Sequence, residues 1–268
     1  MIKSVIIYAY FMSPSSDYNL DFFIKKELKY RKDIDYIIII NGYEKNKNIC
    51  FPKLDNLQII ERENIGYDFG AHNSALEYIQ TRSKTYDYYF FMNSGVFGPV
   101  LSDEFAENHW TDIFISKIND RVKLVGTVVA CLPHGDPGGY GPKVECFFFM
   151  VDELGLSLLK NEKTIFCNHG DKYGAIVNGE YAVSKCIFRS GYTIDCMMPE
   201  YQNIDWTNEN NYVLNNNTHP SRVNSFYGYS LNPYDLIFHK WFWHGQPTVN
   251  FDIIQEYVNN YNEENNII

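Results

Sequence analysis

The sequence predicts an α/β domain built on a mainly parallel central sheet flanked by helices. Three observations predict it. Short apolar runs rich in β-branched and aromatic residues recur along the first half, stretches with apolar residues at helical spacing lie between them, and 268 residues suffice to bury one large core. Strands that alternate with helices imply βαβ units, in which ligands gather at the carboxyl ends of the strands.

In chain order, residues 4–10, 35–40, 58–61, 86–93 and 123–131 read as buried strands closed by polar turn residues. Between them, residues 21–31 place Phe22, Phe23 and Leu28 on one helical face, and 71–81 do the same with Ala75, Leu76 and Ile79. The second half is less regular. There 144–151 is a strongly apolar strand, 153–160 a short helix and 180–190 a helix introduced by Asn178-Gly179. The Asn-rich stretch 208–217 reads as a loop, and the tail from 256 is polar and lies at the surface. No internal repeat is present.

A formal net charge of -10 and a pI near 5.2 argue against a nucleic-acid surface, which needs clustered Lys and Arg to neutralise phosphates. Any phosphate-bearing ligand must therefore be held by local groups. No run reaches the length of a membrane span or a secretory leader. The six cysteines form no Cys-x-x-Cys pair and sit mostly in apolar, strand-like surroundings, which reads as reduced core thiols in a cytoplasmic protein. Cys167-Asn168-His169 is the one hint of a metal cluster, and it lacks a second pair at zinc spacing. The 22 Tyr and 19 Phe suit sugar-stacking surfaces, but their alternation inside strands favours a plain core.

Two segments stand out. Residues 61–73, Glu-Arg-Glu-Asn-Ile-Gly-Tyr-Asp-Phe-Gly-Ala-His-Asn, follow a strand and open a helix; Gly66 and Gly70 permit a tight turn, and the helix end favours an anion. An ordinary strand-to-helix loop would satisfy the same residues. The second is the strand 86–93, whose tip carries Asn93-Ser94-Gly95, where a metal-dependent transfer to or from a diphosphate would need carboxylates.

The Asn64-x-Gly66-x-Asp68-x-Gly70-Ala71 spacing, followed by a short helix and an apolar strand, resembles the GT-A class of nucleotide-sugar glycosyltransferases, in particular its rhamnan-synthesis branch. The order of later motifs fits as well: Asn178-Gly179-Glu180 opening a helix, then Gly191-Tyr192, Tyr201-Gln202 and Asp205-Trp206. The resemblance covers most of residues 4–240. It implies a single GT-A-like (Rossmann-like) domain over 1–268, with a nucleotide-binding half (1–100), an acceptor and catalytic half (101–250) and a C-terminal tail (251–268). The implied activity is transfer of a hexosyl or pentosyl group from a UDP- or GDP-linked donor to a glycan acceptor in polysaccharide biosynthesis, probed against a catalytically silent binding module as the alternative. A sugar nucleotidyltransferase ranks last, because residues 11–16 contain neither Gly nor Arg.

Position by position, the resemblance implies that Ala9, Tyr10 and Asn41 border the base, that Asp68 and His72 contact base or ribose, and that Asn64 and Gly66 shape the donor loop. Asn93, Ser94 and Gly95 replace the usual Asp-x-Asp, which leaves Mn²⁺ or Mg²⁺ as a possible cofactor with only Asn93 and His239 as candidate ligands. Glu180 takes the place of the general base that removes the acceptor proton, with Asp205 in reserve; a helix-starting Glu also complements the helix dipole without any catalytic role. His239 and Lys240 are expected to face the diphosphate beside the aromatic stretch 241–243. The Gly-rich loop 134–142 is placed as an acceptor loop or lid.

Overall fold

The protein is described by a computed structural model over residues 3–42, 49–102, 109–240, 242–243, 246–247 and 251–264. Strands β1 (Ser4–Phe11), β2 (Ile34–Asn41), β3 (Leu57–Arg62) and β4 (Tyr88–Asn93) alternate with helices α1 (Pro14–Glu27) and α2 (Tyr67–Thr81). There follow β5 (Val96–Phe97), α3 (Trp110–Ile115), β6 (Val122–Gly126), β7 (Val129–Leu132), β8 (Gly141–Val144), β9 (Phe148–Asp152) and α4 (Glu153–Asn161). The chain continues through α5 (Lys172–Gly174), a π-helical turn (Ala175–Glu180), α6 (Tyr181–Arg189), β10 (Thr193–Cys196), α7 (Pro233–Leu236), β11 (His239–Lys240), a hairpin of β12 (Phe242–Trp243) with β13 (Gln246–Pro247), and α8 (Phe251–Glu264).

The seven-stranded sheet runs β10-β6-β9-β4-β1-β2-β3. β1 pairs in parallel with both β2 and β4, and β9 is antiparallel to β4 and β6. β1 therefore lies where the strand order reverses, and the crevice outside its carboxyl end is the place for a ligand in an open α/β sheet. Buried apolar residues hold this frame on both faces: Ile6, Ile7 and Ile37–Ile39 are nearly inaccessible, as are Phe90, Phe91, Phe148 and Phe149. Continuous burial along β1 and β2 explains their unbroken apolar runs.

Several elements depart from the sequence reading. α1 begins at Pro14 rather than 21, because the Ser13 side chain accepts from Ser16 N and Pro14 suits the first helical position. The run 123–131 splits at Thr127–Val128 into β6 and β7, which joins a separate hairpin with β8. Residues 208–217 form 3₁₀ turns with Asn215 and Asn216 in the left-handed region, a conformation asparagine tolerates. Cys50 is exposed, whereas Cys131, Cys146 and Cys196 are buried thiols. α8 closes a second, smaller core of Phe22, Phe97, Val100, Ile254 and Val258 against α1 and β5.

Candidate functional site

The tips of β1 to β4 converge with the start of α2, and side-chain bonds lock the tips together. Ser94 is buried, and its Oγ accepts from Phe11 N at 3.2 Å and donates to Ser16 Oγ at 3.1 Å, while its carbonyl accepts from Asn19 Nδ2 at 2.9 Å. Asn41 Nδ2 donates to the Tyr10 carbonyl at 3.2 Å, and its Oδ1 accepts from Arg62 Nη1 at 3.3 Å. The Tyr10 hydroxyl donates to Asp17 on α1. Ala9, Tyr10, Asn41 and Ser94 thus hold the edge together from within, and their side chains face the interior rather than a ligand. Phe11 at the end of β1 is 46% exposed, and its ring lies 3.6 Å from where a Gly42 side chain would begin.

The loop before α2 is clamped from below. Gly66 has φ 78° and bridges to His169, and a Cβ on it would meet Asn168 Cα at 2.5 Å, so only glycine fits. Arg62 Nη2 donates to the Ile65 carbonyl at 2.9 Å and to Asn168 Oδ1 at 3.0 Å. Residues 167–169 therefore serve as this clamp; the Cys167 sulfur stands 3.8 Å from the His169 ring nitrogens, and among the described residues no third metal-ligating side chain joins them. Asn64 is exposed on the loop. Asp68 lies in the first turn of α2, where its charge complements the positive helix end. His72 is also corrected: it is fully buried among Phe69, Phe91 and Phe149, its Nε2 is 3.4 Å from the Met92 carbonyl, and burial pushes its pKa down to about 4. It cannot reach a base or ribose.

At the β4 tip, Asn93 Nδ2 donates to Asp68 Oδ2 at 2.8 Å and Asn93 Oδ1 accepts from Gly95 N at 2.9 Å. β11 pairs with β5 in the register His239 to Phe97 and Lys240 to Val96, which brings the C-terminal segment onto this tip. The Lys240 side chain passes 3.2 Å from a Gly95 Cβ position, and its ammonium lies 5.8 Å from the Phe147 ring centre. His239, in contrast, is 2% exposed, neither ring nitrogen has a partner among the described residues, and burial with the neighbouring charges of His219 and Lys240 pushes its pKa down to about 3. That direction favours the neutral imidazole, so the cation at this position is its neighbour Lys240. Of the aromatic stretch beside it, Trp241 lies outside the described residues.

Glu180 ends the π-helical turn that leads into α6, and burial raises its carboxyl above the usual range, with Glu145 and Asp68 adding to the shift and Lys143 and Lys240 opposing it. Those four charges define its surroundings. Its carboxylate has no side-chain hydrogen-bond partner among the described residues, while its carbonyl accepts from the Cys146 thiol at 3.3 Å. Asp205 is elsewhere: it is solvated, accepts from Thr207 N and Oγ1, and lines a cleft with Lys117, Asn119 and Asp195 at the β6–β10 edge. It does not join Glu180. Lys143, Glu145 and His219 beside Glu180 escaped sequence reasoning, because charged residues flanking an apolar strand carry no periodic signal; a charged pair inside a buried run was the available hint.

A hard divalent cation prefers several oxygen ligands in a regular cage. Asn93 spends both ends of its carboxamide on Asp68 and Gly95, His239 is enclosed against Phe147, and among the described residues no three His, Cys, Asp or Glu side chains converge. A Mn²⁺ or Mg²⁺ at this tip would rely on Asp68 and on oxygens of the diphosphate itself.

Residues 37–112, which carry β2, β3, α2, β4 and β5, match the family model described as Rhamnan synthesis protein F. This is less than a third of the chain. No curated protein matches. A solved structure of the mannosyltransferase PcManGT from Pyrobaculum calidifontis, in complex with GDP-Man and Mn2+, is 14% identical with a TM-score of 0.43 over 72% of this chain and 53% of that one. The chain thus spans about half the length of that protein. The rhamnan-synthesis similarity falls on the segment that carries the β3–α2 turn and the β4 tip of a mixed α/β sheet. Among the described residues no helix is long and apolar enough to cross a membrane.

Proposed function

We propose that the protein transfers a sugar from a nucleotide-diphosphate donor to a glycan hydroxyl with inversion, using Glu180 as the general base. The observation that carries this reading is the Glu180 carboxylate itself: partly exposed, unspent in side-chain hydrogen bonding, raised in pKa by partial burial, and within electrostatic range of Asp68 and Lys240. Perturbed carboxylates of this kind concentrate at catalytic centres. A base whose pKa rises toward the working pH takes the acceptor proton more effectively as the hydroxyl attacks the anomeric carbon. Phe11 and Gly42 supply a flat surface for the base, and Lys240 supplies the charge that stabilises the leaving diphosphate. Asp68, held by Asn93, is the remaining carboxylate at the edge and suits a sugar or ribose hydroxyl.

A screen of UDP-glucose, GDP-mannose and dTDP-rhamnose tests this, reading thermal shift and donor turnover with and without Mn²⁺ or Mg²⁺. A donor that stabilises the fold by mass action and is consumed supports the transferase. Binding without turnover against every acceptor offered selects the silent module, which the missing carboxylate pair at Asn93-Ser94-Gly95 favours.

A further inference from the structure

Behind Glu180 lies a buried ion network that the transfer step does not use. Lys143 and Glu145 are 5% and 6% exposed, with Lys143 Nζ 2.7 Å from Glu145 Oε1. His219 Nε2 approaches the same oxygen at 3.1 Å. The Lys143 ammonium also sits 4.3 Å from the centre of the Tyr181 ring, the residue next to Glu180. Tyr181 is in turn cradled by the Gly-rich loop, because a Cβ on Gly138 would fall 1.9 Å from its ring. Four segments thus meet on one ammonium: β8, the β8–β9 connection, the start of α6 and the loop 134–140.

Burying such a set is expensive. Two ions taken out of water cost more than their attraction returns unless the geometry is good, and apolar residues of similar volume often hold a fold equally well. The members of the network hold one another in their charged forms. Burial pushes Glu145 up, yet Lys143 and His219 outweigh it and hold the carboxyl well below the usual range. Burial pushes Lys143 down, yet Glu145 and then Glu180 hold it above the usual lysine range. Cys146, next to Glu145, donates its thiol to the Glu180 carbonyl at 3.3 Å, and Tyr181, next to Glu180, lies under the Lys143 ammonium, so both members of the pair flank Glu180 with opposite charge.

We propose that the Lys143–Glu145–His219 network is a positioning device that sets the protonation of Glu180, Lys143 favouring its ionised form and Glu145 its protonated form. The catalytic consequence rests on the reading of Glu180 as the base; the electrostatic coupling does not. The other charges facing Glu180 are Lys240 from β11 and Asp68 from α2, and both remain in place when the network is changed.

The experiment is a ¹³C NMR titration of the Glu180 carboxyl in protein labelled at glutamate, with the resonance assigned by its loss in Glu180→Gln. Glu145→Gln is nearly isosteric and removes a negative charge, so the Glu180 midpoint moves to lower pH. Lys143→Met removes a positive charge, so the midpoint moves to higher pH. The double variant returns toward the wild-type value, as expected for a coupled pair. If Lys143→Met does not fold, Glu145→Gln alone decides. A midpoint unchanged in Glu145→Gln, or one that moves in the same direction in both variants, overturns the proposal. The acid limb of kcat/KM for nucleotide-sugar hydrolysis follows the same shifts if Glu180 is the base. Shifts in the carboxyl titration without any shift in the acid limb leave the coupling standing and sink the assignment of Glu180 as base.

Discussion

His239 and Lys240 are adjacent in the chain and opposite in behaviour. β11 turns His239 inward against Phe147, where burial keeps the imidazole neutral, and lays Lys240 across Gly95 toward the donor edge. Under the proposed reading, the charge that meets a leaving diphosphate is that of Lys240. Replacing it with alanine is expected to lower kcat/KM for the donor on the order of 10²-fold, as loss of one charge-stabilising donor does elsewhere. Chelator is expected to cost less than that, since Asn93 spends both ends of its carboxamide on Asp68 and Gly95. Steady-state kinetics of Lys240→Ala beside wild type with and without EDTA decides; abolition by EDTA with rescue by Mn²⁺, and a silent Lys240→Ala, would be the opposite outcome. At this scale the sequence was a partial guide. Residue type and motif order single out candidates, but whether a side chain points in or out is set by packing, which is why Tyr10, Asn41, His72 and Ser94 turn out to be internal and Phe11 external.

The element that shapes the edge is the turn between β3 and α2. Its clamp comes from residues 167–169, about a hundred positions away, and no local pattern announces it. The left-handed φ at Gly66 and the 2.5 Å approach to Asn168 Cα make the position intolerant of a side chain. Gly66→Ala is expected to destabilise the fold by about 1–3 kcal/mol, since it adds strain to a backbone clash. Thermal melting reads this as a Tm lowered by several degrees, and a Tm equal to wild type would mean the turn does not need the clamp. The first half of the fold was legible because β1, α2 and β4 announce themselves by unbroken apolar runs or helical periodicity. The second half was less so: β7 and β8 leave the main sheet to form their own hairpin, and the π-helical turn that delivers Glu180 is a local irregularity that spacing does not encode.

For the whole molecule, buried titratable groups make stability depend on pH. His72 and His239 have folded pKa values of about 4 and about 3, below the ordinary 6.5, so the unfolded chain binds protons that the folded chain refuses. Their contribution is present above about pH 6.5 and is lost as pH falls from there toward the folded values. Glu145, lowered by its cations, adds a further loss once pH drops below the ordinary glutamate range. Thermal melts should therefore show Tm falling from about pH 6.5 downward, and more shallowly in a folded His239→Gln variant. A Tm flat between pH 7 and 4 would contradict the buried, neutral histidines. The central claim concerns what this frame holds at its strand tips, and the paired measurement of donor turnover and donor affinity in Glu180→Gln tests it most directly. The account predicts turnover lower by about 10²- to 10⁴-fold with donor affinity nearly unchanged. Equal turnover in the variant would contradict it.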